Sequence, residues 1–448
     1  MCLLGVLATT LFDVEIGTYV AAPMLLIYVG VNLWQASMVV KVFFGLAMLL
    51  IITSGVTPLT LADILAGLER MVFLGALLTA LGFMRVVATQ DRHFDSAGRY
   101  LASQPPARRY VSMYFGGHLF TTLLNMGGLG LLVETVNTAL ESRRNSMSPL
   151  VFQLRQRRIV SAIMRGFSTI AFWTPFGIAL NSLLLVFPGL LWIDVAPFGL
   201  LFVSIALIFG WSLDDLDRRL RPLHPRSRVD PPGKNDHWSA LLVVLHILGL
   251  GTVILTLDIL LPVSFQSVLL FIVPGYALLW ITRLYGRAGL PTLRTEFIER
   301  APGFVTEIGV FSMAGLLGPI IAALVPEAAM NSVFSIVGDQ PVALALALLW
   351  TTVLFSVLGI HPIISVIVLG ELVVRNGGIS ELAATLALLS GWAGAVTLAP
   401  FATTAVFISQ LVNQGVWRVT WGWNGVYGLG VMFLFSLLLS GGIFLGFF

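Results

Sequence analysis

Two segments of this chain share the same landmarks: Gly116–Gly127, which reads GGHLFTTLLNMG, and Gly359–Gly370, which reads GIHPIISVIVLG. Each contains a Gly-x-His triplet, and in each a glycine follows the histidine by nine residues. The two histidines, His118 and His361, are 243 positions apart. Matching landmarks at a fixed spacing are the sequence signature of an internal repeat.

A second pair of landmarks follows each segment in the same order. Gly166 and Pro175 recur as Gly391 and Pro400, now 225 positions apart. The shorter separation is explained if the first copy has a longer polar loop, around residues 138–157. Four landmarks in one order, with one loop-sized shift, predict that the chain consists of two related halves.

The composition is typical of a membrane protein. Of the 448 residues, 57% are hydrophobic and 10% are charged, whereas soluble proteins carry about 25% charge. Apolar runs of about 20 residues recur along the chain, and each is long enough to cross a hydrocarbon core of about 30 Å. The single cysteine, Cys2, excludes a disulfide framework and a cysteine-ligated metal site. We therefore predict an all-α polytopic membrane protein.

The arginines indicate which side of the membrane each loop faces. All basic residues except Lys41 and Lys234 are arginine. They concentrate in four loops, at residues 91–109, 143–158, 213–237 and 283–300. The five loops predicted on the opposite side contain one arginine, Arg375. The positive-inside rule places the arginine-rich loops in the cytoplasm. These loops lack interleaved aromatic residues, so we expect no nucleic-acid partner.

The distribution of arginine among the loops also predicts a re-entrant hairpin in the first half. Segment 110–135 starts and ends at arginine-rich loops and is too short for two full crossings. The first repeat, residues 18–212, then comprises three spans, this hairpin, an interrupted span at 158–187 and a closing span. Residues 1–17 are an extra N-terminal segment.

The second half repeats this plan with inverted orientation. A cytoplasmic linker at 213–237, rich in charge and proline, precedes the second repeat at 238–448. Its hairpin, at 341–373, lies between two arginine-poor loops, and its interrupted span is at 380–411. Inverted repeats with hairpins and broken helices are the plan of secondary transporters, in which the binding site lies near the bilayer midplane.

The two interruptions are predicted to bind ions. Proline removes a helical hydrogen bond, and an unwound turn presents carbonyl groups to a cation and a helix N-terminus to an anion. A simple proline kink in a packed helix is the alternative. The predicted ion-binding residues, with Na⁺ as the metal considered, are Gly117, Thr174, Pro175, Gly359, Thr397 and Pro400.

Polar side chains at the hairpins and breaks are predicted to bind the substrate. Ionisable residues at membrane depth are costly and mark functional paths. The histidines either bond a substrate carboxylate, carry a proton or cap a backbone group, and Arg165 either balances an anion or snorkels to the interface. The predicted substrate-binding residues are His118, Thr121, Thr122, Asn125, Arg165, Thr174, Asn181, His361, Ser365, Thr403 and Thr404.

The order of hairpin and Thr-Pro-containing broken helix, given twice, resembles the ion transporter superfamily. That group includes the divalent anion/sodium symporters, the arsenite and citrate carriers and the large membrane subunit of TRAP transporters. The stretch from Thr174 to Asn181 is similar to the TPPVGLN-type broken helix of TRAP large subunits, although Phe176 replaces the second proline. Gly359 to Pro362 resembles a Gly-x-His-Pro hairpin of related carboxylate carriers, whereas the Ser-Asn-Thr hairpin tips of the divalent anion symporters are missing.

The resemblance covers roughly residues 60–448 and implies a dimeric, elevator-type carrier, in which hairpins and broken helices move against a scaffold. We therefore expect a secondary active transporter, not an enzyme, in the bacterial inner membrane. Its substrate would be a small anionic organic solute such as a carboxylate. Its coupling ion would be Na⁺ or H⁺, with no other cofactor, and its partners would be membrane lipids and a second copy of the chain.

Three alternatives stay open at the level of sequence. A membrane subunit of a binding-protein-dependent, TRAP-like system would need a soluble binding protein as partner. A membrane enzyme acting on a lipid-linked substrate would need clustered carboxylates or an acid–base pair at the interface, and no convincing set is present in the sequence. A channel is the third alternative, but paired hairpins favour alternating access.

Overall fold

The computed structural model describes residues 16–221, 236–261, 263–328 and 340–448, and all regular structure in these ranges is helical. Six helical segments there are long and apolar enough to cross a membrane, and three shorter helices are also apolar. The prediction of an all-α polytopic membrane protein is confirmed. The predicted N-terminal segment 1–17, except for its last two residues, and most of the linker 213–237 lie outside the described residues.

The helices of the first half begin with three apolar segments and end with one long helix. Polar caps define several of the starts, for example where the Thr60 side chain and Asp63 form a capping box. In chain order the helices are α1 (Ile16–Val31), α2 (Met38–Ile52), α3 (Leu61–Gln90), α4 (Arg92–Ala102), α5 (Pro106–Leu124), α6 (Met126–Glu141), α7 (Pro149–Thr169), α8 (Ile178–Val186) and α9 (Trp192–Leu220).

The second half likewise ends with a two-helix hairpin, a broken helix and a closing helix. Its helices are α10 (Asp236–Leu260), α11 (Phe265–Tyr285), α12 (Gly289–Arg300), α13 (Val305–Leu324), α14 (Pro341–Val357), α15 (Pro362–Asn376), α16 (Glu381–Leu398), α17 (Thr403–Leu411) and α18 (Trp423–Phe444). The inversion of the two halves across the membrane stays a prediction from the arginine distribution.

Two arginine-rich stretches that were expected to be loops contain helices. Helix α4 buries Phe94 and Leu101 while Arg92 and Arg99 stay exposed. This spacing of apolar residues, three to four apart, is that of an amphipathic helix. Helix α12 is a similarly short helix in the arginine-rich stretch of the second half, but it precedes the long helix α13, whereas α4 directly precedes its hairpin. The high charge of both stretches obscured a helical period that was present in the sequence.

The closing helix α9 is also longer than predicted. It continues to Leu220, into the region expected to be the linker. Asp215 pairs with Arg218 and, at 2.7 Å, with Arg219, and these partners are three and four residues apart. Ion pairs at these spacings stabilise a helix, so the dense charge here extends the helix instead of ending it.

Both hairpins turn at residues with left-handed backbone. Asn125, between α5 and α6, has φ of 47°, and Gly359, between α14 and α15, has φ of 101°. At the first turn the arms are in backbone contact, because a Cβ on Gly128 would lie 2.1 Å from the Phe120 carbonyl oxygen. The helical arms extend beyond the predicted 110–135 and 341–373.

The two broken helices are interrupted at the two prolines. Between α7 and α8 the chain forms a short 3₁₀ turn and then leaves the helix at 173–177, and between α16 and α17 it leaves the helix at 399–402. Each broken helix packs against its own hairpin, and the second piece of each packs against the other half's hairpin: α8 against α15, and α17 against α6. These contacts between the halves join the hairpins and the broken helices into one bundle. Helices α3 and α13 pack against each other beside it.

The landmark glycines of the repeat are close-packing positions. A Cβ on Gly166 would lie 2.1 Å from the Tyr114 carbonyl oxygen of α5, and a Cβ on Gly391 would lie 2.8 Å from the Leu349 carbonyl oxygen of α14. Small residues let membrane helices approach backbone to backbone. In each half, the first hairpin arm therefore packs directly on the broken helix at the matched glycine.

Candidate substrate-binding cavity

A cavity of about 390 Å³ lies where the hairpin turns and the helix breaks meet. Both hairpins, both broken helices and the pair α3 and α13 contribute to its wall. Its polar lining consists of Arg85, Thr121, Thr122, Asn125, Thr306, Glu307, His361, Thr403 and Thr404.

The structure brings some of the predicted substrate-binding residues together and places others elsewhere. Those that line the cavity are Thr121, Thr122, Asn125, His361, Thr403 and Thr404. Those outside its lining are His118, Arg165, Thr174, Asn181 and Ser365. The predicted ion-binding residues Gly117, Thr174, Pro175, Gly359, Thr397 and Pro400 also lie outside it, although their neighbours Gly177, Val396 and Ala402 line the wall.

Four helices begin at this cavity. The first residues of α6, α8, α15 and α17, or the residues just before them, all belong to the wall. Helix α15 is capped by His361, whose Nδ1 accepts a hydrogen bond from the Ile363 amide at 3.3 Å. The N-termini of α6, α8 and α17 have no side-chain cap. Each uncapped N-terminus presents free N–H groups and about half a positive charge, which favour an anion.

The threonines of the cavity differ in what their hydroxyl groups offer. The Thr121 hydroxyl donates to the Gly117 carbonyl, and the Thr122 hydroxyl donates to the His118 carbonyl at 2.7 Å. These donors are therefore already used within α5. Thr403 lies in the first turn of α17, and its hydroxyl makes no hydrogen bond within the described part of the chain. The Thr403 hydroxyl is therefore free to donate to a ligand in the cavity.

An ion pair that the sequence analysis overlooked occupies one side of the cavity. Arg85 Nη2 lies 2.5 Å from Glu307 Oε2, which connects α3 to α13. The Asn125 amide donates to Glu307 Oε1 at 2.6 Å, and Arg85 Nε donates to the Leu124 carbonyl at 3.2 Å. The turn of the first hairpin is therefore held by a charge-neutral pair on the neighbouring helices. Both charges lie inside predicted spans, which was the signal that should have identified them.

The rest of the wall is aromatic and apolar. The rings come from all parts of the bundle: Phe167, Phe176, Phe311, Trp392 and Phe407. His361 is enclosed by rings, with centroid distances of 5.8 Å to Phe311 and 6.3 Å to Trp392. A cavity with a few polar groups in an apolar wall fits a ligand with a polar head and an apolar body.

Asn181 secures the first helix break. Its Nδ2 donates to the Pro175 carbonyl at 2.8 Å and to the Gly177 carbonyl at 3.0 Å. Trp192 Nε1 donates to the Trp173 carbonyl at 2.9 Å. The carbonyl groups that were expected to be free for a cation are thus already hydrogen bonded.

The second break has no such amide. Val406 stands 225 positions after Asn181, where the repeat places its counterpart. Within the described part of the chain, no donor reaches the carbonyl groups of Leu398 and Pro400. Free carbonyl groups at membrane depth need a partner, so the second break is better suited than the first to hold a cation.

His118 is buried beside the first broken helix. Trp173 Nε1 donates to His118 Nδ1 at 3.3 Å, and His118 Nε2 lies 3.3 Å from the Thr169 hydroxyl. Because Nδ1 accepts a hydrogen bond, a neutral ring carries its proton on Nε2. Both ring nitrogens therefore have protein partners. This arrangement favours a structural role for His118 over the substrate-binding and proton-carrying alternatives.

Arg165 lies in a separate buried cluster. Its Nε donates to Asn424 Oδ1 at 2.9 Å, its Nη2 donates to the Trp423 carbonyl at 3.1 Å, and its guanidinium stacks over Tyr427 at 4.4 Å. These contacts anchor α7 to the closing helix α18. They hold the guanidinium inside the protein, whereas a snorkelling side chain would extend to the membrane interface.

Hairpin turns and broken helices around a cavity with a few polar groups define the class of this protein as a multi-pass membrane protein built like a carrier. No protein-family model matches the chain, and no curated protein matches it. Among solved structures, the YdaH transporter of Alcanivorax borkumensis is similar, with a TM-score of 0.63 at 15% identity over 92% of this chain and 99% of that one.

A second similar structure is MtrF of Neisseria gonorrhoeae, which represents a class of antimetabolite efflux pumps. Its TM-score is 0.55 at 13% identity, over 92% of this chain and 97% of that one. At these identities the similarity establishes a shared fold. The resemblance to the ion transporter superfamily stays a hypothesis.

Proposed function

We propose that this protein is a secondary active transporter of a small organic anion that has an apolar body. The observation that carries the proposal is the set of three uncapped helix N-termini, those of α6, α8 and α17, at one cavity. Their partial positive charges favour an anionic head group, and the free Thr403 hydroxyl adds a donor. A carboxylate attached to a ring or a short chain matches this wall.

The ion pair in the cavity supports the same choice. Glu307 is neutralised by Arg85 and bonded by Asn125, so it adds no net charge that would repel an anion. A cationic substrate would have to compete with Arg85 for Glu307 and would face three positive helix ends. An anion avoids both costs.

The second helix break is the proposed site of the coupling cation. The carbonyl groups at Leu398 and Pro400, together with Thr397, supply oxygen atoms close to the cavity wall. Sodium is held by such oxygen ligands at broken helices. In the proposed mechanism, the bundle of hairpins and broken helices moves relative to α3 and α13. The proposed carrier is a homodimer in the bacterial inner membrane.

Uptake into proteoliposomes that contain only this chain tests the proposed function. We expect uptake of an aromatic carboxylate when a sodium gradient is imposed, and little uptake of the neutral amide of the same acid. A proton gradient without sodium is the parallel condition that distinguishes the two ions. Uptake only after addition of a soluble binding protein would favour the TRAP-like alternative, and equal uptake of acid and amide would contradict the anion site.

A variant of Thr403 tests the site itself. Thr403→Val keeps the shape of the side chain but removes the hydroxyl, so we expect the affinity for the carboxylate to fall about tenfold, the scale of one hydrogen bond to a charged group. Thr282→Val is the matched control, because the Thr282 hydroxyl donates to Leu278 on an exposed face of α11. A loss of the same size in both variants would argue against the assignment of Thr403.

A further inference from the structure

A second pocket, of about 270 Å³, opens between α7, α9 and the start of α18. It contains Arg157, Arg158, Asp214 and Asp217 from two of the arginine-rich stretches, together with Arg165 further along α7. The positive-inside rule assigns this end of the bundle to the cytoplasm. None of these residues lines the substrate cavity.

The charges in this pocket do not balance. Arg157 and Arg158 both pair with Asp217, at 2.7 Å and 3.0 Å, and Arg158 Nε also lies 3.8 Å from Asp214. Among the described residues, Arg165 has no carboxylate within ion-pair distance. It donates instead to the side-chain amide of Asn424 and to the backbone carbonyl of Trp423, and both groups are neutral. Three cations and two carboxylates therefore leave one positive charge, and the unbalanced guanidinium is buried.

A buried hydroxyl group adds an unused donor at the same place. Ser161 lines the pocket and is 3% exposed, and its Oγ has no hydrogen-bond partner among the described residues. It lies four residues before Arg165 and three after Arg158, so the three side chains share one face of α7. Buried polar groups are nearly always hydrogen bonded, and the face is therefore incomplete without a ligand.

The mouth of the pocket is apolar. Leu216, Leu220 and Val426 belong to its lining, and their exposed fractions are 53%, 73% and 74%. Leu216 and Leu220 are four residues apart on α9 and so share a face. A soluble anion would make no favourable contact with this apolar mouth. A lipid would place its acyl chains on it while its head group reached the arginines.

We propose that this pocket binds the phosphate of an anionic phospholipid of the cytoplasmic leaflet, with Arg165, Arg158 and the Ser161 hydroxyl as donors. Arginine suits the phosphate because its guanidinium donates several hydrogen bonds in a fixed geometry. Basic pockets between membrane helices on the cytoplasmic side are known to hold anionic head groups. Because Arg165 also contacts Asn424 and Tyr427, the lipid would brace the first broken helix against the closing helix.

Native mass spectrometry of the intact protein, released from nanodiscs of mixed lipid, tests this site. Phosphatidylglycerol should be retained in preference to phosphatidylcholine. Arg165→Gln should lower the retention of phosphatidylglycerol about tenfold, the scale of one lost charge-assisted contact. Arg144→Gln is the matched control, because Arg144 is an exposed cytoplasmic arginine paired with Glu141 at 3.3 Å, and it should retain the lipid fully.

A second variant keeps the test decisive if Arg165→Gln does not fold. Arg158→Gln removes another of the proposed donors and should lower retention about threefold. Unchanged retention in the folded variants, or equal retention of the two lipids by the natural protein, overturns the proposal. Stabilisation of the lipid-free protein by inorganic phosphate, to the same extent as by phosphatidylglycerol, also overturns it and assigns the pocket to a soluble phosphate.

Discussion

At the scale of single residues, the hydrogen-bond partners separate positions that the sequence treated alike. His118 and His361 occupy matched places in the repeat. His118 is bonded through both ring nitrogens to the first broken helix, whereas His361 caps α15 and faces the cavity. Asn181 was expected to contact substrate, and its amide instead closes the first helix break.

The two histidines should therefore respond differently to substitution. His118→Ala leaves the Trp173 indole without an acceptor, so we expect a loss of about 1–3 kcal/mol of stability, with ligand affinity retained in the folded fraction. His361→Ala should weaken ligand binding more than it weakens the fold. Thermal unfolding and equilibrium binding on the same samples check both. The reverse pattern would contradict the assigned roles.

Replacement of Asn181 tests the internal closure of the first break. Asn181→Leu keeps the volume but leaves the Pro175 and Gly177 carbonyl groups without this donor, so we expect stability to fall by about 1–3 kcal/mol. Asn145→Leu, at an exposed position in a short 3₁₀ turn, is the control and should change stability little. If Asn181→Leu unfolds at the same temperature as the control, the amide does not hold the break.

At the scale of helices, close packing and one ion pair position the hairpins. The glycines that reveal the repeat in the sequence are those at which helix backbones meet. The Arg85–Glu307 pair ties the turn of the first hairpin to α3 and α13 through Asn125 and Leu124.

The packing glycines should not tolerate alanine. A Cβ on Gly166 would collide with the Tyr114 carbonyl oxygen, and this backbone atom cannot move without displacing α5. Gly166→Ala should therefore lower the yield of folded protein severely. A Cβ on Gly249 has nothing within 4 Å, so Gly249→Ala should behave like the natural protein. Size-exclusion chromatography of both variants measures the difference, and a normal Gly166→Ala profile would contradict this packing.

The half-buried Arg85–Glu307 ion pair should show coupling. Glu307→Gln leaves Arg85 without its counter-charge, so we expect stability to fall by about 1–3 kcal/mol, with faster hydrogen exchange around the Asn125 turn. The double variant Arg85→Met with Glu307→Gln removes both charges and should recover much of this loss. A double variant whose loss equals the sum of the two single losses would show that the pair is not coupled.

The sequence predicted the helical fold and both breaks because apolar length, proline and repeated glycine are local signals. It did not identify Arg85 and Glu307, which are separated by more than two hundred residues and become partners only when α3 packs on α13. It also assigned Arg165 to the substrate site, because its distance from the first break is short along the chain. The direction in which a helical side chain points depends on the neighbouring helices, and this is a tertiary property.

At the scale of the whole molecule, the inverted repeat requires two hairpins that enter the membrane from opposite sides. Ser103 and Ser148 flank the first hairpin and should both face the cytoplasm. Cysteines at these positions, in a background where Cys2 is serine, should both resist a membrane-impermeant reagent added from outside. Reaction at one position and not the other would mean that the segment between them spans the membrane.

Recognition of an anion by the uncapped helix ends is the property on which the proposed function depends. Its most direct measurement is equilibrium binding of an aromatic carboxylate and of its neutral amide, which have nearly the same shape, to the purified protein in saturating sodium. We predict that the carboxylate binds at least about tenfold more tightly, a difference of about 1.4 kcal/mol. We also predict that Thr403→Val reduces this preference. Equal affinities for the acid and the amide would contradict this recognition.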